Sequence, residues 1–272
     1  MQAVSPYDKD TGNRGVAEIV AIRIGPELTW LGDRQNYWLF FGWPVSQMSV
    51  RSIHQFAEKV ALISDASSPV GRAVAMQLAL NGAYVVGLFQ HEGGSVESLV
   101  ELGTLAHAFQ IDPSTDEGSR QAAAEIEAAF GRLDLLVNCL KSRAESEFNS
   151  VTEAAFSETM RRNLGSVQFL TNAVFPLMAE RPSPRMVNIA STGPDGVDPI
   201  FAAAQAGIIS LTASMASEFP RKFRINCVEV RDSEGRGGIA GNGVAPDDAA
   251  RAVLFLLSSE SKAMNGQVVR LG

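Results

Sequence analysis

The feature that most limits what this chain can become is an alternation of short apolar runs with helical segments, from about residue 57 to the end. Lys59 to Ser64 (KVALIS) reads as a short buried strand, and an Ala-rich helix follows from Val70 to a stop at Asn81-Gly82. Ala83 to Phe89 is a second strand, and Leu105 to Ile111 is a third that ends at Asp112. Ser114 to Phe130 is an amphipathic helix, and Leu133 to Asn138 is a fourth strand. One long helix is expected from Val151 to about Met178, ahead of Pro182 and Pro184. Arg185–Ala190 and Phe223–Val230 are strands on either side of a helix, Phe201–Glu218, that Pro220 stops. A helix, Asp247–Leu257, and a last strand, Gln267–Leu271, complete the series. This order is the pattern of an α/β protein built on a doubly wound parallel sheet.

Residues 1–57 break the pattern and form an N-terminal extension to a domain of residues 58–272. The extension holds all three tryptophans (Trp30, Trp38, Trp43) and two of the three tyrosines (Tyr7, Tyr37). Val16 to Ile24 partly alternates, as an edge strand does. Aromatic residues are enriched at interfaces, so the arm is either an extra layer on its own domain or a contact with another subunit. Asp8, Lys9 and Asp10 open the chain with no apolar stretch behind a basic start, unlike a secretory signal. The run Trp38–Trp43 is far short of the ~20 residues that span a bilayer.

With 46% apolar and 19% charged residues, the 272-residue chain suits one α/β domain plus an appendage. A formal net charge of −7 argues against nucleic acid or an anionic membrane as partner and is ordinary for a cytoplasmic protein. The two cysteines, Cys139 and Cys227, form no metal or redox motif, and two buried thiols in a reducing compartment are expected. No metal site is expected, because no clustered His, Cys or carboxylate set occurs. His54, His91 and His107 all precede the fourth strand, so none is placed to activate Ser191 for hydrolysis. Arg161-Arg162 and Arg221-Lys222 read as solvated basic pairs.

Several segments stand in a telling order: KVALISDASSPVGRAVAMQLALNGAYVV from Lys59, DLLVN at 134–138, RRNLGSVQFLTNAVFPLM at 161–178, and RMVNIAS at 185–191. FAAAQAGIISLTASMASEF at 201–219, RINCV at 224–228 and GQVVRLG at 266–272 complete the set. From Lys59 to Gly272 the chain resembles the short-chain dehydrogenase/reductase (SDR) family, which implies a Rossmann-like fold. The resemblance also implies how each functional position should be read.

The family's phosphate loop, Thr-Gly-x-x-x-Gly-x-Gly, lets the backbone approach a pyrophosphate at a helix N-terminus. Here it is Ser64-Asp65-Ala66-Ser67-Ser68-Pro69-Val70-Gly71, so only Gly71 keeps its glycine. Asp65 brings a carboxylate towards the phosphate position, and like charges about 4–5 Å apart cost roughly 3–4 kcal/mol at an effective dielectric near 20. Phe89 and Gln90 stand where an acid or an arginine would select the cofactor's ribose. Asp112 matches the family's adenine-contacting Asp, and Asn138-Cys139-Leu140-Lys141 replaces Asn-Asn-Ala-Gly, with Leu140 and Lys141 intruding on cofactor space. Val230-Arg231 replaces the Pro-Gly that abuts the nicotinamide.

The family's catalytic set is Asn, Ser, Tyr and Lys, in which the lysine cation lowers the pKa of the tyrosine phenol that moves the proton. By resemblance Asn163 and Ser191 persist, whereas Phe201 and Gln205 occupy the Tyr and Lys positions. The expectation is therefore a catalytically inactive subunit. Its cofactor-binding positions Ser64, Ser68, Gly71, Asp112 and Asn138 are taken as vestigial, and no cofactor is expected in this chain. It would assemble, as a heterotetramer, with an active SDR paralogue that carries NAD or NADP. Alternatives are a homo-oligomeric scaffold or ligand sensor, and a reductase with an atypical proton donor.

Overall fold

The computed structural model describes residues 55–89, 106–139, 142, 148–192, 198–231 and 243–272. The aromatic arm before residue 55 lies outside them, as do Gln90, Leu140, Lys141, His54, His91 and residues 193–197 and 232–242.

The elements run β1 (Val60–Ile63), α1 (Pro69–Leu80), β2 (Tyr84–Phe89), β3 (Ala106–Gln110), α2 (Asp116–Phe130) and β4 (Leu135–Asn138). They continue with α3 (Glu153–Met160), α4 (Ser166–Ala179), β5 (Arg185–Thr192), α5 (Pro199–Glu218), β6 (Arg224–Arg231), α6 (Pro246–Leu257) and β7 (Val268–Leu271). The strands form one parallel sheet in the order β3-β2-β1-β4-β5-β6-β7. Successive side chains of β1 go to opposite faces. Ala61 and Ile63 join one core with α1 and α6, while Val60 and Leu62 join the other with α2, α4 and α5. Strands buried on both faces need apolar residues at every position, which is why they read as unbroken apolar runs.

Chain order reverses between β1 and β4. The connections that leave their C-terminal ends part there, and this is where doubly wound sheets bind ligands, in a crevice at the strand ends. The opposite end is tied down by Asp134, a buried carboxylate. It accepts from the Val60 N–H (3.1 Å), Arg132 Nη2 (2.8 Å) and Arg181 Nε (3.1 Å), and it pairs with Lys59 (3.5 Å). Burial pushes this carboxyl up. The Val60 N–H and the charges of Arg132 and Lys59 outweigh that and hold it below its ordinary value.

Two segments depart from expectation. The long helix is not regular: a π-helical turn, Arg161–Gly165, separates α3 from α4. The Asn163 side chain enters the helical ladder there and donates to the Thr159 carbonyl at 2.8 Å, a known cause of such turns. Arg161 is also not a merely solvated residue, because its Nη1 donates to Ser114 O (2.9 Å) and Oγ (2.7 Å), tying this turn to the loop after β3. The second departure is α5, which begins two residues before Phe201. Asp198 accepts from the Ile200 and Phe201 N–H groups, and Pro199 takes the first helical position. By length and composition α5 could cross a bilayer. It packs instead on β5 and β6 through Phe201, Ile208 and Met215.

Candidate functional site: the crevice at the C-terminal ends of β1, β4 and β5

Ser64 and Asp65 leave β1 into the crevice. The Ser64 hydroxyl accepts from the Cys139 N–H at 2.9 Å, which joins the ends of β1 and β4. Asp65 does not project into open space. Its Oδ1 accepts from Ser67 N (3.0 Å), from Ser68 N (3.3 Å) and from the Ser67 hydroxyl. Ser68 caps α1 by accepting from Gly71 N at 3.1 Å. A Cβ on Gly71 would lie 1.9 Å from the Asp65 carbonyl oxygen, so only glycine lets helix and strand meet this closely. Cys139 is buried behind the loop. Burial, and then the neighbouring Asp65 charge, push its thiol up to about 12.

The junction after β3 has the same construction. Asp112 Oδ1 accepts from Ser114 N (2.9 Å), and Thr115 caps α2 by accepting from Gly118 N (3.0 Å). A Cβ on Gly118 would lie 2.0 Å from the Asp112 carbonyl oxygen. Both junctions follow the spacing Asp-x-x-Ser/Thr-x-x-Gly, at 65–71 and 112–118. Sequence reading treated the two aspartates separately. The shared spacing was the signal that could have linked them.

Asn138 lies opposite Asn188 across β4 and β5 and donates to its Oδ1 at 2.9 Å. Asn188 in turn donates to Thr212 at 2.9 Å, forming a buried polar ladder beneath the crevice. Asn138 is thus a structural member of the sheet's end.

The structure brings Asn163, Ser191, Phe201 and Gln205 together, and all four are buried. Gln205 Oε1 accepts from the Ser191 N–H at 2.8 Å, and its Nε2 donates to Asn163 Oδ1 at 3.1 Å. Asn163 also accepts from Ser142 N (3.0 Å) and donates to Ser142 O (2.8 Å). The network is neutral and both ends of the Gln205 amide are satisfied. Phe201 is fully buried at the first turn of α5 and carries no proton to transfer. The remaining positions are equally plain: Phe89 sits in the core cluster with Phe56 and Val74, and Val230 is buried while Arg231 is exposed at the end of β6. Tyr84, the one tyrosine among the described residues, stands against Phe130 at the start of β2 (ring centroids 6.0 Å apart). His107 packs edge-on against the same ring at 5.1 Å.

Comparison with known proteins gives a consistent picture. A family model described as short chain dehydrogenase matches residues 59–231. The 3-oxoacyl-(acyl-carrier-protein) reductase FabG of Escherichia coli is 28% identical over 235 residues, covering 79% of this chain and 96% of the relative. An uncharacterized oxidoreductase of Methylorubrum extorquens is 30% identical over 237 residues, covering 78% and 95%. The crystal structure of a short chain dehydrogenase from Mycobacterium smegmatis superposes with a TM-score of 0.70 at 27% identity, covering 80% of this chain and 93% of that one. These matches overturn the expectation that the chain has no cofactor: they span the nucleotide-binding half, and the fold is a cofactor-binding one. The frame fits a dinucleotide. The reversal of strand order lies between β1 and β4, and Gly71 permits the tight turn from β1 into α1. The exception is the Asp65 carboxylate, which already engages two backbone donors of the loop.

Proposed function

We propose, from the premise that this chain belongs to the short-chain dehydrogenase family, that it is a cytoplasmic, non-catalytic subunit of an oxidoreductase complex. In this reading it joins an active chain of the same family in a heterotetramer and stabilises or regulates it. The observation that carries the reading is the pairing of a fully buried Phe201 with a Gln205 amide bonded to Ser191 and Asn163. Proton transfer to a carbonyl needs a group with an ionisable proton near neutral pH, and the position that supplies it in the family holds a phenyl ring. The lysine position holds a neutral amide bonded through both its oxygen and its nitrogen, so no cation is there to tune a donor.

The losses are confined to the crevice, while the scaffold is intact. Outer residues of α5 are small and exposed, among them Ala202, Ala203, Ala206, Ser210, Ala213 and Ser214. Such a face permits close helix approach, and the corresponding helices pair in the family this chain resembles. Two measurements test the proposal. The purified chain, assayed with NADH or NADPH and 3-oxoacyl thioesters of the kind its reductase relatives are named for, should show no turnover. Co-expressed with a family member from the same source that carries Tyr-x-x-x-Lys, it should elute as a mixed oligomer and raise that partner's stability or rate. Turnover by the chain alone, or homo-oligomers only in the presence of every such paralogue, would overturn the reading.

A further inference from the structure

We propose that Asp65 is a built-in anion that competes with the pyrophosphate of a dinucleotide for the N-terminus of α1, so that cofactor binds only by displacing it. The inference is independent of whether a partner subunit exists, because it concerns only how this chain's own loop meets the cofactor its fold accepts.

The hydrogen bonds carry the argument. From Ala66 to Gly71 five residues have a backbone N–H, since Pro69 has none. Four of those groups are committed within the protein: Ala66 to Leu88 O, Ser67 and Ser68 to the Asp65 carboxylate, and Gly71 to Ser68 Oγ. A phosphate at a helix N-terminus is held by such donors together with the helix dipole. Here a carboxylate from the same loop takes two of them, and its negative charge answers the dipole.

The second junction shows what this arrangement is for. After β3 an aspartate, a capping hydroxyl and a glycine at the same spacing make three of these bonds, from the second N–H to the carboxylate, from the hydroxyl to the carbonyl and from the glycine N–H to the hydroxyl, and there they serve as a strand-to-helix turn. The loop after β1 has that self-contained form, down to the capping hydroxyl donating to the aspartate carbonyl: Ser68 Oγ to Asp65 O at 3.0 Å, Thr115 Oγ1 to Asp112 O at 3.3 Å. Asp65 therefore gates affinity in two ways. It occupies donors, and it repels a pyrophosphate that approaches them.

The test is calorimetric titration of the full chain with NADH, with ADP-ribose and with adenosine, using wild type, Asp65→Asn and Asp65→Gly. Asp65→Asn keeps an oxygen acceptor for the Ser67 and Ser68 N–H groups and removes only the charge, so the fold is retained. NADH and ADP-ribose should bind on the order of a hundredfold more tightly to Asp65→Asn than to wild type, from the relieved repulsion alone. Asp65→Gly, which also frees the donors, should bind them at least as tightly. Adenosine, which has no phosphate, should be unchanged. Equal affinity of wild type and Asp65→Asn for ADP-ribose, an equal gain for adenosine, or no binding of ADP-ribose to any of the three proteins would each overturn the proposal.

Discussion

Gln205 Nε2 donates to Asn163 Oδ1 at 3.1 Å, so two residues 42 positions apart share one buried hydrogen bond. The other end of the Gln205 amide holds the Ser191 N–H at 2.8 Å. Together these bonds fix the π-helical turn, the end of β5 and the first turns of α5 relative to one another.

Replacing Gln205 by Ala leaves the buried Ser191 N–H without its acceptor and opens a cavity. The orphaned donor and the cavity together should cost about 2–4 kcal/mol. The urea midpoint of unfolding should fall accordingly, whereas an unchanged midpoint would show that the bridge contributes nothing.

Phe201→Tyr puts a hydroxyl at a fully buried position. We expect a loss of about 1–2 kcal/mol for the polar group and no reductase activity. A phenol with an ordinary pKa of about 10 needs a nearby cation to give up its proton, and Gln205 supplies none. Thermal unfolding and a steady-state assay with NADPH check both parts.

Asp134 governs acid stability. Its folded carboxyl lies below its unfolded value of about 3.9, so its contribution is present above roughly pH 4 and is lost as pH falls through the folded value. Asp134→Asn should lose about 2–3 kcal/mol at pH 7, less than for a fully enclosed pair because Lys59, Arg132 and Arg181 keep contact with solvent. Its stability should also fall less steeply than wild type below pH 4. Urea melts from pH 3 to pH 7 read both effects.

Gly71→Ala and Gly118→Ala should be alike, because each Cβ would strike an aspartate carbonyl oxygen, at 1.9 Å and 2.0 Å. Each strand-helix junction must shift, and each variant should lose about 3 kcal/mol. A much milder Gly71→Ala would mean that the two junctions are not built alike.

Both thiols should be inert in the folded protein. Burial first pushes Cys139 and Cys227 up to about 12, with the Asp65 charge adding at Cys139 and that of Glu229 at Cys227. At pH 8 a thiol-specific reagent should label neither except through unfolding. Labelling faster than unfolding would contradict the burial.

The sequence by itself determined the alternating order of strands and helices, and with it the sheet and the crevice. The pattern is legible because the inner strands β1 and β4 are apolar on both faces, and because Asn81-Gly82, Gly131 and Pro220 mark helix ends. It also determined that neither Phe201 nor Gln205 can ionise, since identity alone decides that. It missed the π-helical turn at Asn163, because the inserted amide makes that break and the surrounding helix periodicity gives no sign of it. The start of α5 is written in the sequence as Asp198-Pro199, a cap and a first-turn proline, two residues ahead of the expected start at Phe201. Tertiary structure alone decided where the long-range hydrogen bonds close. Gln205 meets Asn163 only because α5 packs across the π-helical turn, a contact between segments far apart in the chain. Asp65 turns onto its own loop rather than into the crevice because two backbone N–H groups point at it. That turn is local, and its trace in the sequence is the spacing Asp-x-x-Ser/Thr-x-x-Gly at 65–71 and 112–118.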